Sequence, residues 1–465
     1  MAQNKASKSQ RDCDVAVIGA GAAGLACAVA AADAGASVVV LEACHQVGGS
    51  SRLSGGHVFA AGTSVQRAAG IEDDADAMFE HYMTLNQWMV EPSVVRRYCD
   101  TSGATVEWLR ELGIEFEGVY VSGVGDVARG HLTRGEGHEV ISVLDRHCSQ
   151  RGVEIVFGAR VSELLRDDDG RVTGVRANGD VLHAGAVVVA TGGFGANPEL
   201  LAKHYPDAAA AGDWTWYIGS PDARGDGIML GEGVGAALDG HNRGLLLATP
   251  GFSHDLEVFL PVWLVLVDRA GRRFANETAP YSMLGGLIQR RGGVAWAIFD
   301  EAARAAAEPT PMQRAYWVGD ILKAQADAGG IHREESLAAL ALAAGIDGEA
   351  LAGTLEGYNA ACEAGRDDSF FKPLGAGARP IVEPPFYAVP VRPAILAWTG
   401  AGLRIDANMH VIGRDERSIP GLFAAGETVG SLHGDRYVGG GGSFGPCLAF
   451  GKIAGENAAA LAREA

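Results

Sequence analysis

Apolar and polar positions change their rhythm several times along this chain, and each change predicts an element. Residues 14–18 (DVAVI) form a short unbroken apolar run, the pattern of a strand buried on both faces. Gly19-Ala20-Gly21-Ala22-Ala23-Gly24 follows at once, then the alanine-rich LACAVAAADAGA, which predicts a helix ending at Gly35. SVVVLEA is a second strand, with Glu42 at its end. Between about 70 and 115, DDADAMFEHYMTL and VVRRYCDTSGATVEWLREL have the spacing of amphipathic helices. HEVISVLDRHCSQ then predicts a helix and VEIVFGA a strand. The run from Val161 to Gly193 reads as short strands turning at Asp169-Gly170 and Asn178-Gly179. Residues 220–240 read as a loop followed by a helix, and PVWLVLVDRAGRRFANE comes after a stretch rich in Trp, Pro and Phe. Alanine-rich helices fill about 300–365, and Pro373, Pro380, Pro384, Pro385, Pro390 and Pro393 predict a long irregular return. GLRIDANMHVIG and GLFAAGET read as strands, and SFGPCLAFGKIAGENAAALA as a final helix.

The alternation of strand and helix predicts an α/β protein: a Rossmann-like domain with a parallel sheet, interrupted by an inserted α+β domain. The expected boundaries are 11–241 and 399–465 for the first domain and 242–398 for the insertion. A length of 465 residues agrees, being too great for one ordinary core. The formal charge of −19 argues against nucleic acid and against an anionic membrane surface. The 66 glycines follow no collagen period, so turns and close backbone approaches account for them. Seven scattered cysteines without a CxxC support neither a disulfide framework nor a zinc site. The start, MAQNKASKSQRDCD, is polar, and no apolar run reaches membrane-spanning length, so the expected location is the cytoplasm.

Strand, GxGxxG, helix, strand, acid is the order that a dinucleotide site requires. Gly19, Gly21 and Gly24 allow the backbone to approach a pyrophosphate at the helix start, where free N–H groups and the dipole attract anions. Glu42 can bond ribose hydroxyls. A second glycine-rich loop, Gly48 to Gly56 (GGSSRLSGG), suits a flavin, whose ribityl chain and ring must also be held. A third glycine run, Tyr437 to Pro446, directly precedes the final helix, a place suited to a flavin ring carbonyl or a phosphate. His131, His138 and His183 are isolated and are assigned no chemistry.

Taken together and in order, VIGAGAAGLACAVAAADAGASVVVLEA, GGSSRLSGG, VVVATGGFGANP, RGDGIML, GRRFANE, GLFAAGET and the glycine-rich end resemble the flavoprotein family of fumarate reductases, succinate dehydrogenases and 3-ketosteroid dehydrogenases, over nearly the whole chain. The resemblance implies FAD. The loop that carries a covalent histidine in some members has none here, so the FAD is expected to be non-covalent. Carried over by motif, the cofactor residues are Gly19, Gly21, Ala22, Ala23, Gly24, Glu42 and Ala43; Gly49, Ser50, Ser51, Ser54, Gly55 and Gly56; Ala190, Thr191, Gly192 and Asp226; and Gly426, Glu427, Gly442, Ser443 and Leu448.

Two positions separate the branches of that family. Where fumarate reductases carry a proton-delivering arginine and a carboxylate-gripping arginine, this chain has Tyr281 and Tyr437, with Arg436 one position early. An arginine fork suits a carboxylate, whereas a neutral phenol suits a ketone oxygen. The resemblance therefore implies a ketone α,β-dehydrogenase. Tyr281 is the base, Tyr437 and the Gly441 N–H hold the carbonyl oxygen, and the β-hydrogen leaves as hydride to flavin N5. Tyr120 is the candidate for the third tyrosine that assists the base, although its flanks differ from the motif. The expected substrate is a cyclic ketone, either a 3-ketosteroid or a smaller oxo-cyclohexane such as 4-oxocyclohexanecarboxylate. Arg129 or Arg134 is a candidate to meet an acid group. No second dinucleotide fingerprint and no CxxCH is present, so the electron acceptor stays open among oxygen, a quinone-like dye and a redox protein. The alternative readings are a reductase of an activated alkene, motivated by His433 and Arg436, and a flavin-binding protein without turnover.

Overall fold

The computed structural model describes residues 11–375 and 377–464; the polar residues 1–10 lie outside them. The fold is mixed α/β, and the chain divides into two compact units. One comprises the described residues up to Pro206, Gly219–Gly244 and those from Trp398 onward; the other comprises Asp207–Ile218 and Leu245–Ala397.

In the first unit the described residues form an eight-stranded sheet. Its spine runs His410–Ile412, Ser418–Ala424, Asp180–Val189, Cys13–Ile18, Val38–Glu42, Glu154–Phe157. The four central strands are mutually parallel, with Val17 beside Val40 on one side and Val188 on the other. Val15, Val17, Val38, Val40, Val187, Val188 and Val189 are buried, successive ones on opposite faces, which is why the sequence shows continuous apolar runs rather than alternation. Val161–Arg166 and Val172–Ala177 continue antiparallel from the sheet, turning where Asp-Gly and Asn-Gly were expected to turn them. The helix Ala22–Asp33 lies along the terminal helix Phe444–Glu464. The two approach so closely that a Cβ on Gly451 would sit 2.3 Å from the Ala23 carbonyl oxygen, so glycine is required there. A separate three-stranded antiparallel sheet joins Val58–Phe59, Gly130–Thr133 and Phe116–Tyr120.

The second unit is built on a mixed sheet around one long strand, Phe386–Thr399, which extends to the unit boundary. Here the irregular return expected from the prolines is corrected. Pro390 lies within the strand opposite Trp296, and Pro393 falls between the residues matched to Ala295–Asp300 and those matched to Trp216–Tyr217. A proline removes only its own N–H from a ladder, and the surrounding Val, Ala and Ile residues are buried and suited to a strand. The same pairing moves 207–218 out of the first domain, because Trp216 and Tyr217 run parallel to Ile395 and Leu396. The alanine-rich region resolves into Glu301–Ala305, Gly319–Asp327, Leu337–Ala344 and Gly348–Ala364, with a short strand His332–Glu334 among them. Among the described residues no helix is long and apolar enough to cross a membrane, and no His, Cys, Asp or Glu cluster could hold a metal ion.

Candidate active site

A cleft of about 830 Å³ opens at the C-terminal ends of Cys13–Ile18, Val38–Glu42 and Asp180–Val189. Gly19, Gly21, Ala22 and Ala23 wall it from the first turn, Glu42 and Ala43 from the end of the second strand. Gly49, Ser50 and Ser51 contribute from the next loop, Ala190, Thr191 and Gly192 from the third strand, and Asp226, Gly426 and Glu427 from later segments. Residues remote in sequence thus meet at one place, as a ligand site at the strand ends of an α/β sheet requires.

The local geometry fits an extended dinucleotide. The helix Ala22–Asp33 begins at Gly21 without a side-chain cap, so its N-terminal dipole opens on the cleft. A Cβ on Gly49 or Gly192 would meet nothing within 4 Å, and one on Gly21 nothing closer than 3.7 Å, so there is room where the backbone comes nearest. Glu42 accepts the Ala20 N–H at 2.7 Å and the Cys44 N–H at 2.8 Å on different oxygens. Each oxygen keeps a second acceptor position, enough for ribose hydroxyls. Asp226 is held against Arg160, and burial raises its pKa.

Other predicted residues lie elsewhere. Gly24 is a packing residue: its Cβ would fall 1.9 Å from the Gly19 carbonyl oxygen. Ser54 folds its own loop, donating to the Ser51 carbonyl at 2.7 Å and accepting the Gly56 N–H at 3.2 Å. Gly55 abuts His57, Gly56 abuts the backbone of Glu136, and Leu448 is fully buried in the core. Cys44, Gly48, Ser220, Asp222, Ala223 and Cys447 wall the cleft without having been singled out. Cys447 could have been found, since it lies in the first turn of the final helix, which Ser443 immediately precedes.

A smaller cavity of about 290 Å³ adjoins the cleft, sharing Gly426, Glu427 and Cys447 with it. Trp398, His433, Ser443 and Phe450 help wall it. Burial raises the Glu427 pKa; its carboxyl accepts both the N–H and the hydroxyl of Thr399 at 2.9 Å. Burial pushes His433 down to about 4, so its imidazole is neutral at pH 7. Its Nδ1 lies 3.3 Å from Tyr82 Oη and its ring 4.4 Å from that of Trp398.

The Tyr437 ring lies 5.8 Å from Trp398, and its hydroxyl accepts the Ser443 N–H at 3.2 Å. Burial raises the pKa of this phenol, keeping it a proton donor. The glycines that follow are squeezed. A Cβ on Gly440 would lie 2.2 Å from Tyr120 Oη, and one on Gly441, at φ +93°, 2.5 Å from the Phe59 nitrogen. Gly442 abuts the Tyr437 ring. Tyr120 is therefore brought to the glycine run, by the strand Phe116–Tyr120, with its hydroxyl 2.7 Å from His57 Nδ1.

Tyr281 belongs to the second unit, where it opens the helix Tyr281–Gln289, half-buried, with its ring edge-on to Phe259 at 5.8 Å. The GRRFANE motif before it is a buried ion cluster. Arg273 grips Glu277 through two 2.8 Å bonds and Asp367 through one of 2.7 Å, and Lys372 lies 3.0 Å from Glu277. The expectation that Arg129 or Arg134 meets an acid group is corrected. Arg129 is buried in a bidentate pair with Asp73, at 2.8 and 2.7 Å, and Arg134 sits on the surface between Glu115 and Glu117. Arg436 turns to the Asp435 carbonyl at 2.8 Å. His131 is buried against Thr63, while His138 and His183 are exposed.

A dinucleotide cleft at the strand ends, continued by a cavity with a buried phenol beside it, defines a nucleotide-cofactor oxidoreductase. The chain belongs to the FAD binding domain family, whose model matches residues 14–443, and its cofactor is FAD. It is 32% identical over 467 residues to a fumarate reductase (cytochrome) of Shewanella frigidimarina, covering 97% of this chain and 78% of that one. It is 29% identical over 479 residues to a vinyl phenol reductase of Lactiplantibacillus plantarum, covering 96% and 95%. The structure of 3-ketosteroid-Δ4-(5α)-dehydrogenase from Rhodococcus jostii RHA1, in complex with 4-androstene-3,17-dione, superposes with a TM-score of 0.81 at 26% identity, covering 98% of this chain and 99% of that one. The protein is an FAD-dependent oxidoreductase of the superfamily that holds the ketosteroid dehydrogenases and fumarate reductases.

Proposed function

We propose that this oxidoreductase introduces an α,β double bond into a cyclic ketone. The observation that carries the reading is the Tyr437 phenol, buried, kept protonated and anchored by the Ser443 N–H beside the Gly439–Gly441 run. A donor fixed in this way suits the oxygen of a ketone, whose developing enolate it stabilises. The N–H of Gly441 is the proposed second donor. Holding the oxygen acidifies the neighbouring C–H, and Tyr281 is assigned the removal of that proton. Bound FAD supplies the two-electron acceptor for the β-hydrogen. Tyr120, paired with His57 against Gly440, is assigned an assisting role in proton handling. The electron acceptor that reoxidises the enzyme is left unassigned.

A second reading, reduction of an activated alkene, is favoured by the 32% identity to a fumarate reductase and the 29% identity to a vinyl phenol reductase. The same residues then act in reverse, with Tyr281 delivering the proton. An anaerobic absorbance scan of the FAD-loaded enzyme separates the two. Bleaching by a saturated 3-ketosteroid, cyclohexanone or 4-oxocyclohexanecarboxylate is the expected result. No bleaching by any ketone, together with reoxidation of the dithionite-reduced enzyme by an enone, vinyl phenol or fumarate, would replace the dehydrogenase reading with the reductase one.

A further inference from the structure

The Gly439–Gly441 run has to hold a backbone donor still, yet glycine is the residue with most freedom to move. Two other segments of the same unit pin it. On one side the Gly441 carbonyl accepts the Phe59 N–H at 3.3 Å. On the other the Gly440 N–H donates to Oγ of the buried Ser122. The peptide that carries the Gly441 N–H thus lies between two anchored peptides. The space is closed as well. A Cβ on Gly440 would lie 3.0 Å from Ser122 Oγ and 3.3 Å from His57 Nδ1, and one on Gly439 would lie 2.5 Å from the Ser122 carbonyl oxygen.

The bond at Ser122 is the end of a longer chain. Burial raises the pKa of the Tyr120 phenol, and the Ser122 hydroxyl, bonded to it, opposes the rise. Tyr120 Oη lies 2.7 Å from His57 Nδ1. The direction of the chain follows from its protons. An amide N–H only donates, so Ser122 Oγ accepts from Gly440 and gives its own proton to Tyr120 Oη. The phenol has one proton, and His57 Nδ1 receives it. That nitrogen accepts only in a neutral imidazole whose proton sits on Nε2. Burial lowers the His57 pKa and so favours the neutral ring, with the Glu136 carboxylate opposing. The titratable groups facing the ring are the Tyr120 phenol, from the strand Phe116–Tyr120, and Glu136, from the helix Glu136–Gln150; the glycine run brings none.

We propose that His57 is a positioning residue for the oxyanion donor: its neutral imidazole directs the Tyr120–Ser122 chain, and that chain anchors the peptide whose Gly441 N–H meets the ketone oxygen. Bonds aligned head to tail in this way strengthen one another. Protonation of His57 turns Nδ1 into a donor and sends the Tyr120 proton back to Ser122. Ser122 Oγ must then accept from both Tyr120 and Gly440, and its own proton loses its partner. The inference rests on the oxyanion role given to Gly441 above. It holds for either direction of the reaction, since the same enolate lies on both paths.

The test uses the FAD-loaded enzyme in the direction that the absorbance scan shows it to run, with kcat/KM measured against pH. A calorimetric titration of the oxidised enzyme with 4-nitrophenolate, a stand-in for the enolate oxygen, gives a second readout that needs no turnover. His57→Leu removes the acceptor, whereas His57→Asn keeps an acceptor oxygen at the place of Nδ1 and cannot titrate. H57L and S122A should each keep FAD and lose about ten-fold in kcat and in 4-nitrophenolate affinity. The double variant should lose little more than either, because both substitutions break one chain. The wild-type kcat/KM should fall as the pH drops below about 6.5. H57N should keep most of the activity at neutral pH and lose that acid limb. Normal rate and affinity in H57L, losses that multiply in the double variant, or an acid limb unchanged in H57N would each overturn the inference while leaving the oxyanion reading in place. If H57L does not fold, the acid limb of H57N decides alone. A wild type that turns over no probe in either direction and does not bind 4-nitrophenolate would overturn the oxyanion reading, and this inference with it.

Discussion

The Tyr437 hydroxyl accepts the backbone N–H of Ser443 at 3.2 Å, with Ser443 Oγ 3.3 Å away. Ser443 immediately precedes the terminal helix Phe444–Glu464, so the phenol is tied to the start of an element packed throughout its length. The bond occupies a lone pair of the phenol oxygen and leaves its proton available. Tyr437→Phe should therefore keep the fold and the FAD but remove a transition-state donor. The expected loss in kcat is about 10²–10³-fold, the usual effect of deleting one oxyanion donor. Steady-state kinetics alongside the flavin-to-protein absorbance ratio measure both halves, and an unchanged rate would exclude Tyr437 from the chemistry.

Tyr281→Phe removes a hydroxyl and leaves the aromatic ring to face Phe259. FAD content and melting temperature should stay within error of the parent. Turnover should fall by about 10²–10⁴-fold, the range for a lost general base. Normal turnover in this variant would remove the base assignment.

The cofactor cleft was legible in the sequence because its walls are backbone and small side chains at the ends of runs whose period is unmistakable. Glu42 could be placed from a strand that has to end there. Ser54, Gly55 and Gly56 could not be separated from Gly49, Ser50 and Ser51, because a glycine-rich loop has the same composition whether it faces a ligand or folds on itself. Pro390 and Pro393 misled for a related reason: a local signal against strand is outweighed by the burial of Val389, Val391 and Ile395 around them. The setting of Tyr120 against Gly440, and that of Trp398 beside His433, depend on contacts between segments more than 30 residues apart, and no periodicity records them.

Glu277 accepts from Arg273 and from the Leu266 N–H, and lies against Lys372, all in the interior of the second unit. Glu277→Gln leaves Arg273 with Asp367 but takes from the Lys372 ammonium the carboxylate it lies against, so one buried cation loses its counter-charge. Breaking a buried pair on one side costs about 3–5 kcal/mol. A urea midpoint lowered accordingly, with FAD stoichiometry retained in the folded fraction, is the expected outcome. A midpoint shifted by less than about 1 kcal/mol would mean that water reaches the cluster.

Two glycines of the fingerprint should fail in different ways. A Cβ on Gly24 meets the Gly19 carbonyl oxygen at 1.9 Å, so Gly24→Ala must push the first turn apart and should yield unstable protein. A Cβ on Gly21 meets no protein atom closer than 3.7 Å, so Gly21→Ala should fold and lose affinity for FAD instead. Thermal melts without added FAD, followed by FAD titration, distinguish the outcomes. An unaltered FAD affinity in Gly21→Ala would mean that the cofactor does not approach the backbone there.

Acid should destabilise the protein partly through His433. Burial holds this imidazole at about 4, against an ordinary value near 6.5, because its walls leave the charged form poorly solvated. The unfolded chain takes up the proton from about pH 6.5 downward and the folded chain only near 4. The stability conferred by the neutral imidazole is therefore complete above about pH 6.5 and is lost as the pH falls toward 4. Between those values the loss is about 3 kcal/mol for this one group. His57, His81, His131 and His204 are lowered by burial in the same direction and add their own losses. The diagnostic quantity is thus the difference in slope between two chains rather than the slope of one. His433→Gln keeps a polar partner near Tyr82 Oη but cannot titrate. Urea midpoints of the FAD-loaded proteins at intervals from pH 7 to 4.5 should fall less steeply for the variant. Parallel curves would mean that His433 titrates alike in the folded and unfolded chain, so that burial does not hold its ring neutral.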